Sequence, residues 1–204
     1  MKISLAITGA SGAQYAWRLI EQLLLQGIEV DCCISQAALM VFNVETEHAL
    51  PGKLSAQQAF MQQSFGHLPG KIRLYALQDW TSPMASGSSA AKQMVICPCS
   101  TGALSAVATG ASNNLIERAA DVVLKERGRL ILVPRETPFN QIHLQNMLSL
   151  TQMGAIILPA APGFYHQPQS MQDLVDFVVA RILSQLGLDQ ELMSPWGYQN
   201  KAKD

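Results

Sequence analysis

Five short polar segments follow apolar runs, and they hold most of the residues in this chain able to do chemistry: TGASG at 8–12, Ser35, CPCSTGALS at 97–105, PRETPFN at 134–140 and PAAPGFYHQPQS at 159–170. TGASG lies between a strand-like and a helix-like run, so it presents N–H groups at a helix N-terminus, where the dipole favours an anion such as phosphate. Arg135 and Glu136 follow RLILVP directly. There an arginine can fork onto phosphate oxygens and a carboxylate can exchange protons. In NNLIERAADVVLKERGR, Arg118 and Lys125 stand two turns apart on one side with Asp121 between them, a charged face that is solvated unless a ligand recruits it. Arg181 interrupts the apolar run DLVDFVVARIL and needs an anionic partner or a subunit interface. One phosphate pocket, surplus cations for a second phosphate and no metal motif describe a flavin mononucleotide together with a phosphorylated substrate.

The elements that would position these residues alternate. Apolar β-rich runs at 2–8, 28–35, 71–77, 93–98, 129–134 and 154–159 are separated by helical periodicities at 12–26, 100–109, 113–127, 138–152 and 170–186. Strands so uniformly apolar are buried on both faces, which predicts an α/β domain, a doubly wound, Rossmann or flavodoxin-like three-layer sandwich with a mainly parallel sheet. Ligands of such sheets bind beyond the carboxyl ends of the strands, where all five polar segments fall. The stretch from Glu45 to Gly70 and the segment QDWTSPMASGSSA are less regular and are expected to fold over this edge as a lid.

The 204 residues suit a single domain, 1–204, with 187–204 as a tail expected to pack on a neighbouring subunit. With 14 % charged residues and a net charge of −1, the composition gives no electrostatic reason to bind nucleic acid, and the apolar surface is expected to be covered in a homo-oligomer. No apolar run is long enough for a membrane span and the N-terminus carries no signal pattern, so a cytoplasmic protein is expected. Cys32, Cys33, Cys97 and Cys99 lie inside apolar segments without metal or redox spacing and read as buried thiols. His48, His67, His143 and His166 are scattered and read as ordinary histidines, so no metal is expected. A nicotinamide dehydrogenase is disfavoured: TGASGAQY lacks the later glycines of the dinucleotide fingerprints, no Tyr-x-x-x-Lys occurs, and Asp31 lies inside a strand run, where it reads as structural.

TGASGAQY, ADVVLKERGRLILVPRE and PAAPGFYHQPQS together resemble the flavin prenyltransferases, the UbiX family formerly described as aromatic-acid decarboxylases, over nearly the whole chain. The joint match of the last two stretches is specific, whereas TGASG alone is weak. The resemblance implies that Gly9, Ala10 and Ser11, with Ser35, Ser100, Thr101, Gly102, Ala103 and Arg135, bind FMN. It implies that Tyr165 and Arg181 hold dimethylallyl phosphate, with Arg118, Lys125 and Ser86 of SGSS around the same phosphate. Trp80 and Trp196 match aromatic positions, and the resemblance implies sites shared between the subunits of a dodecamer. The implied reaction joins a dimethylallyl group to N5 and C6 of reduced FMN, giving prenylated FMN for a UbiD-type decarboxylase of ubiquinone biosynthesis or aromatic acid decarboxylation.

Cations on the leaving phosphate, among them Lys125, can ionise the donor without magnesium, and Trp80 is a candidate wall for the carbocation. Glu136 is the first and Glu45 the second choice for proton transfer. Ser11 is expected both to cap the first helix and to face flavin N5. Two rival readings are an FMN-dependent cysteine-type decarboxylase and a non-catalytic flavin carrier. The first expects a P-x-M-N-x-x-M-W segment where this chain reads ASNNLIER, and the second needs only one phosphate pocket.

Overall fold

The computed structural model describes residues 1–194. Six parallel strands, β1 (Lys2–Ile7), β2 (Glu29–Ile34), β3 (Lys71–Tyr75), β4 (Gln93–Cys99), β5 (Arg129–Pro134) and β6 (Ile156–Ile157), form one sheet in the order β3-β2-β1-β4-β5-β6. The chain winds outward from β1 to β3, crosses back, and winds the other way from β4 to β6. Strand order therefore reverses between β1 and β4, and a crevice opens beyond their carboxyl ends.

Side chains alternate across the sheet as strand geometry requires. Ile3, Leu5 and Ile7 of β1 join Val95, Ile131 and Val133 in one core layer, under α1 (Ala13–Leu25), α2 (Gln36–Glu45), α3 (Leu54–Phe65) and α7 (Met171–Leu186). Ala6, Met94, Ile96, Leu130 and Leu132 face the other layer, under α4 (Thr101–Ala108), α5 (Leu115–Lys125) and α6 (Gln141–Gln152). The four cysteines split between the layers, unpaired and buried. Burial pushes the Cys33 and Cys99 thiols up to about 12. Asp31 is the structural residue expected of it, buried in β2 with Lys2 Nζ at 3.2 Å and the Tyr75 hydroxyl donating to it at 3.3 Å.

The expected lid is absent from its place. Residues 46–70 contain α3, which packs on β3 and buries Met61 and Phe65 in the α1 layer, making this stretch part of the crossover from β2 to β3. Its two apolar anchors stand four apart in a Ser- and Gln-rich sequence, a weak helical pattern. QDWTSPMASGSSA is also a crossover: a short 3-10 turn at Pro83–Ala85 lies on α5 with Met84 buried beneath it. The helix α2 was likewise not expected; its exposed Met40 and Val44 break the amphipathic pattern. β6 keeps two of its expected six residues, and β3 stops two residues early at Tyr75. The described part of the tail packs on its own chain, with Leu188 and Leu192 against the α1–α7 core and Gln26 Nε2 donating to the Asp189 carbonyl. Trp196 lies outside the described residues.

Candidate functional site

Thr8 joins the two strands at the reversal point. Its hydroxyl donates to the Pro98 carbonyl at 2.8 Å and accepts from the Ser100 N–H at 2.7 Å, tying the end of β1 to the start of α4. Beside it Gly9 allows α2 to approach, since a Cβ there would stand 2.5 Å from that of Ala37. The start of α2 is capped by Ser35, whose Oγ accepts from Ala38 N at 3.1 Å, and that of α4 by Ser100, whose Oγ accepts from Ala103 N at 3.2 Å. Both helix starts line one cavity of about 300 Å³ with Thr8, Gly9, Gly102, Ala103 and Asn114. Gly102 faces open space, so its backbone can be approached closely. First-turn N–H groups have no acceptor within their own helix and two dipoles converge here, a cradle suited to the phosphate of FMN.

The N-terminus of α1 is committed differently. Its N-cap is Gly12, at a φ of 121° that disfavours any other residue, and a Cβ there would also stand 2.7 Å from the Tyr15 ring. Gly12 and Ala13 donate their N–H groups to Glu45 Oε2 at 2.8 and 3.0 Å, and Gln14 Nε2 donates to the Glu45 carbonyl at 2.9 Å. The expectation that TGASG offers its helix terminus to a phosphate is thereby corrected, because a carboxylate from the end of α2 already satisfies those groups. Ser11 is not the cap expected of it; its hydroxyl is a further partner of Glu45. Against the upward push of burial, Ser11, the two N–H groups and the charge of Arg135 hold the Glu45 carboxyl below its usual value.

Glu45 and Ser11 line a second cavity of about 540 Å³ with Tyr15, Arg135, Pro162 and Met171. The opening turn thus separates two cavities, with Gly9 on one side and Ser11 on the other. Ala10 between them is buried. Burial is the main reason the Tyr15 phenol is pushed up, so at neutral pH it is a hydrogen-bond donor at this wall. Glu136 follows Arg135 and accepts from the Thr137 N–H at 3.1 Å.

The cations around the expected second phosphate fall elsewhere, in two groups. Arg118 donates through Nε to the Ala85 carbonyl at 3.1 Å and through Nη1 to Asp121 at 2.8 Å. Lys125, two turns along α5, pairs with Glu126, against whose side chain Gly87 of SGSS lies. Ser86, hydrogen-bonded to Ser88 at 3.1 Å, belongs to the same patch. The helix α5 starts beside Leu77, after β3, and ends beside the start of β5, so Lys125 lies towards the amino edge of the sheet, away from TGASG. Trp80 stands half exposed at the start of this crossover.

The second group is on α7, in the opposite layer. The Tyr165 ring meets Phe177 edge-on at 5.9 Å, and Arg181 is one turn further along α7, exposed. Within one chain the sheet separates Tyr165 and Arg181 from Arg118, Lys125 and Ser86. His48 stacks on Trp17 with ring centres 3.8 Å apart, and His143 closes a capping box with Asn140.

Sequence reasoning missed Thr8 and Asn114 at the first cavity, and Tyr15 at the second. Asn114 caps α5, its side chain accepting from Glu117 N at 3.1 Å, and Asn followed three residues later by Glu is a signal that names it. The two roles of Thr8 need β4 as a neighbour, which no local pattern shows.

A family model described as Flavoprotein matches residues 1–183. The flavin prenyltransferase UbiX of Pseudomonas aeruginosa is 61 % identical over 203 residues, covering 100 % of this chain and 97 % of that protein. Among solved structures, AnUbiX in complex with FMN and dimethylallyl pyrophosphate superposes with a TM-score of 0.84 at 36 % identity, covering 96 % of each chain. A dodecameric FMN-dependent UbiX-like decarboxylase from Escherichia coli O157:H7 gives 0.83 at 34 % identity, covering 96 % of this chain and 99 % of that one.

Proposed function

The chain belongs to the flavoprotein family and, within it, to the flavin prenyltransferases, and on that premise we propose how its residues divide the joining of a dimethylallyl group to reduced FMN. The observation that carries the assignment is the surplus of phosphate-binding cations set apart from the cradle at α2 and α4. That cradle, with Gly9, Ala10, Ser35, Ser100, Thr101, Gly102 and Ala103, takes the FMN phosphate, and Ser11 and Arg135 line the side on which the ring lies. A carrier of FMN alone has no use for Tyr165, Arg181, Arg118, Lys125 and Ser86, which take the phosphate of the donor.

The two cation groups lie in opposite layers, so a single donor phosphate meets both only where neighbouring subunits meet. Exposed Ile142, Leu144 and Leu148 on α6, a helix that buries only Leu150, support a homo-oligomer, with the relative's dodecamer as the expected size.

In the reaction the allylic C–O bond breaks and the phosphate leaves with its electron pair. Flavin N5 bonds to the prenyl carbon that loses the phosphate and gives up its proton; the prenyl double bond then takes up a proton, and the carbon left cationic is attacked by C6, whose own proton departs as the ring closes. Cations neutralise the leaving phosphate, each charge-assisted contact contributing about 1.5–3 kcal/mol. Trp80 is the candidate wall for the cation, since an aromatic face attracts positive charge without attacking it. Glu136 takes and returns protons. Glu45, whose carboxylate is already engaged by the Gly12 and Ala13 N–H groups, ranks second.

The product passes to a UbiD-type decarboxylase, in a cytoplasmic setting that suits four unpaired thiols; no helix among the described residues is long and apolar enough to cross a membrane. Anaerobic incubation with reduced FMN and dimethylallyl phosphate, followed by mass measurement of the extracted flavin, tests the activity. A gain of one five-carbon prenyl unit is expected; unmodified FMN recovered from reduced conditions would refute it. Running the diphosphate in parallel decides which donor is used.

A further inference from the structure

The loop that carries Tyr165 holds one polar atom in an unfavourable place. The rings of Tyr165, His166 and Phe177 pack on one another, with centres 4.1 Å apart for Tyr165–His166 and 5.3 Å for His166–Phe177. Gly163 makes room for them, since a Cβ there would stand 2.8 Å from the Tyr165 ring and 3.0 Å from that of Phe177. His166 Nε2 is buried inside this packing without a hydrogen-bond partner. A phenylalanine would fill the same space without that penalty, and a buried polar atom left unpaired in a folded protein calls for an explanation.

The carboxylates nearest in the fold are already engaged. Asp173 accepts from the Gln169 and Ser170 N–H groups at 2.7 and 3.1 Å. Asp176 accepts from Arg18 at 2.7 and 3.1 Å and from Gln172 at 2.8 Å. The remaining acceptor is the donor phosphate assigned above to Tyr165, the residue next to His166 in the chain and stacked on it.

We propose that segment 163–168 is a strap with two positions, and that His166 is a further donor-binding residue whose ring N–H reaches the phosphate when the strap moves. The unpaired nitrogen raises the energy of the position seen here. Donor binding supplies the missing acceptor, so the shift is driven by an interaction that exists in only one of the two positions. Gln167, with a φ of 55°, is held in the left-handed region at the end of the strap, a place where a change of backbone conformation relieves strain. The inference rests on the donor site assigned above.

His166→Phe and His166→Gln test it, each measured for thermal stability, FMN affinity, direct binding of dimethylallyl phosphate to the FMN-loaded protein, and KM for the donor. Phe keeps a ring and removes the nitrogen, so stability is expected to hold or rise and FMN affinity to stay. Donor Kd and KM are expected to rise about tenfold, the scale of one hydrogen bond to a charged group. Gln, which retains an N–H donor without the ring, is expected to lose less donor affinity than Phe. Wild-type donor affinity in the Phe variant, or a joint loss of FMN, donor and stability, would overturn the proposal. A wild-type protein that binds the donor and leaves FMN unmodified would instead refute the activity and leave the strap standing.

Discussion

The flavin half and the donor half of the proposed site are built in different ways. Around the reversal point, Thr8, Ser35, Ser100 and the first turns of α2 and α4 form a cavity from backbone and short side chains of one chain, held by hydrogen bonds of 2.7 to 3.2 Å. The cations proposed for the donor are long side chains on helix surfaces in opposite layers. The first half is preorganised by the fold, so single substitutions there act through packing. In the proposed arrangement the second depends on assembly, so its substitutions are expected to act on donor binding and leave FMN in place.

The comparison is sharpened first by Glu136→Gln, at the residue proposed to carry protons. Product formation is expected to fall about 10²–10⁴-fold, the usual range for a lost acid–base group, with FMN affinity unchanged in a flavin titration. Loss of FMN binding would move Glu136 to the flavin half. Arg181→Ala and Lys125→Ala should each lower kcat/KM for the donor about tenfold to a hundredfold, the scale of one charge-assisted contact, again with FMN bound normally. An effect confined to one of them would break the pairing of the two layers.

On the flavin side, Glu45→Gln removes the anion at the start of α1 and should cost about 1 kcal/mol in denaturant unfolding. The folded carboxyl lies below its usual value of 4.5, so the ionised form stabilises the fold above that value. The difference between wild type and variant should shrink as pH falls from 4.5 through the lower folded value. The smallest stability effect is expected from Ser11→Ala, within about 0.5 kcal/mol, because the cap is Glu45 and not Ser11. A slower prenylation in that variant would place Ser11 in the chemistry.

The doubly wound sheet was legible because the burial of β1, β4 and β5 on both faces writes continuous apolar runs, and the carboxyl-edge rule then located TGASG, CPCSTG and PRE together. α3 was not legible, because only Gln62, Gln63 and Ser64 separate Met61 from Phe65 and few other apolar residues mark the helix face. The capping of α1 by Glu45 was hidden for a different reason: the bond spans 33 residues, and TGASG looks the same whether its N–H groups meet a phosphate or a carboxylate. The separation of Arg118 and Lys125 from Arg181 followed from layer assignment, which periodicity within one helix does not contain.

The central claim, that neighbouring subunits complete the donor site, is tested most directly by complementation. Lys125→Ala and Arg181→Ala chains, each lowered about tenfold to a hundredfold alone, are co-expressed with different tags, and mixed oligomers carrying both tags are isolated and assayed. If each site takes its lysine and its arginine from different chains, random mixing leaves about a quarter of the sites intact and activity returns to about that fraction of wild type. Mixed oligomers no more active than their parents would mean that both groups serve from the same chain, and would contradict the account.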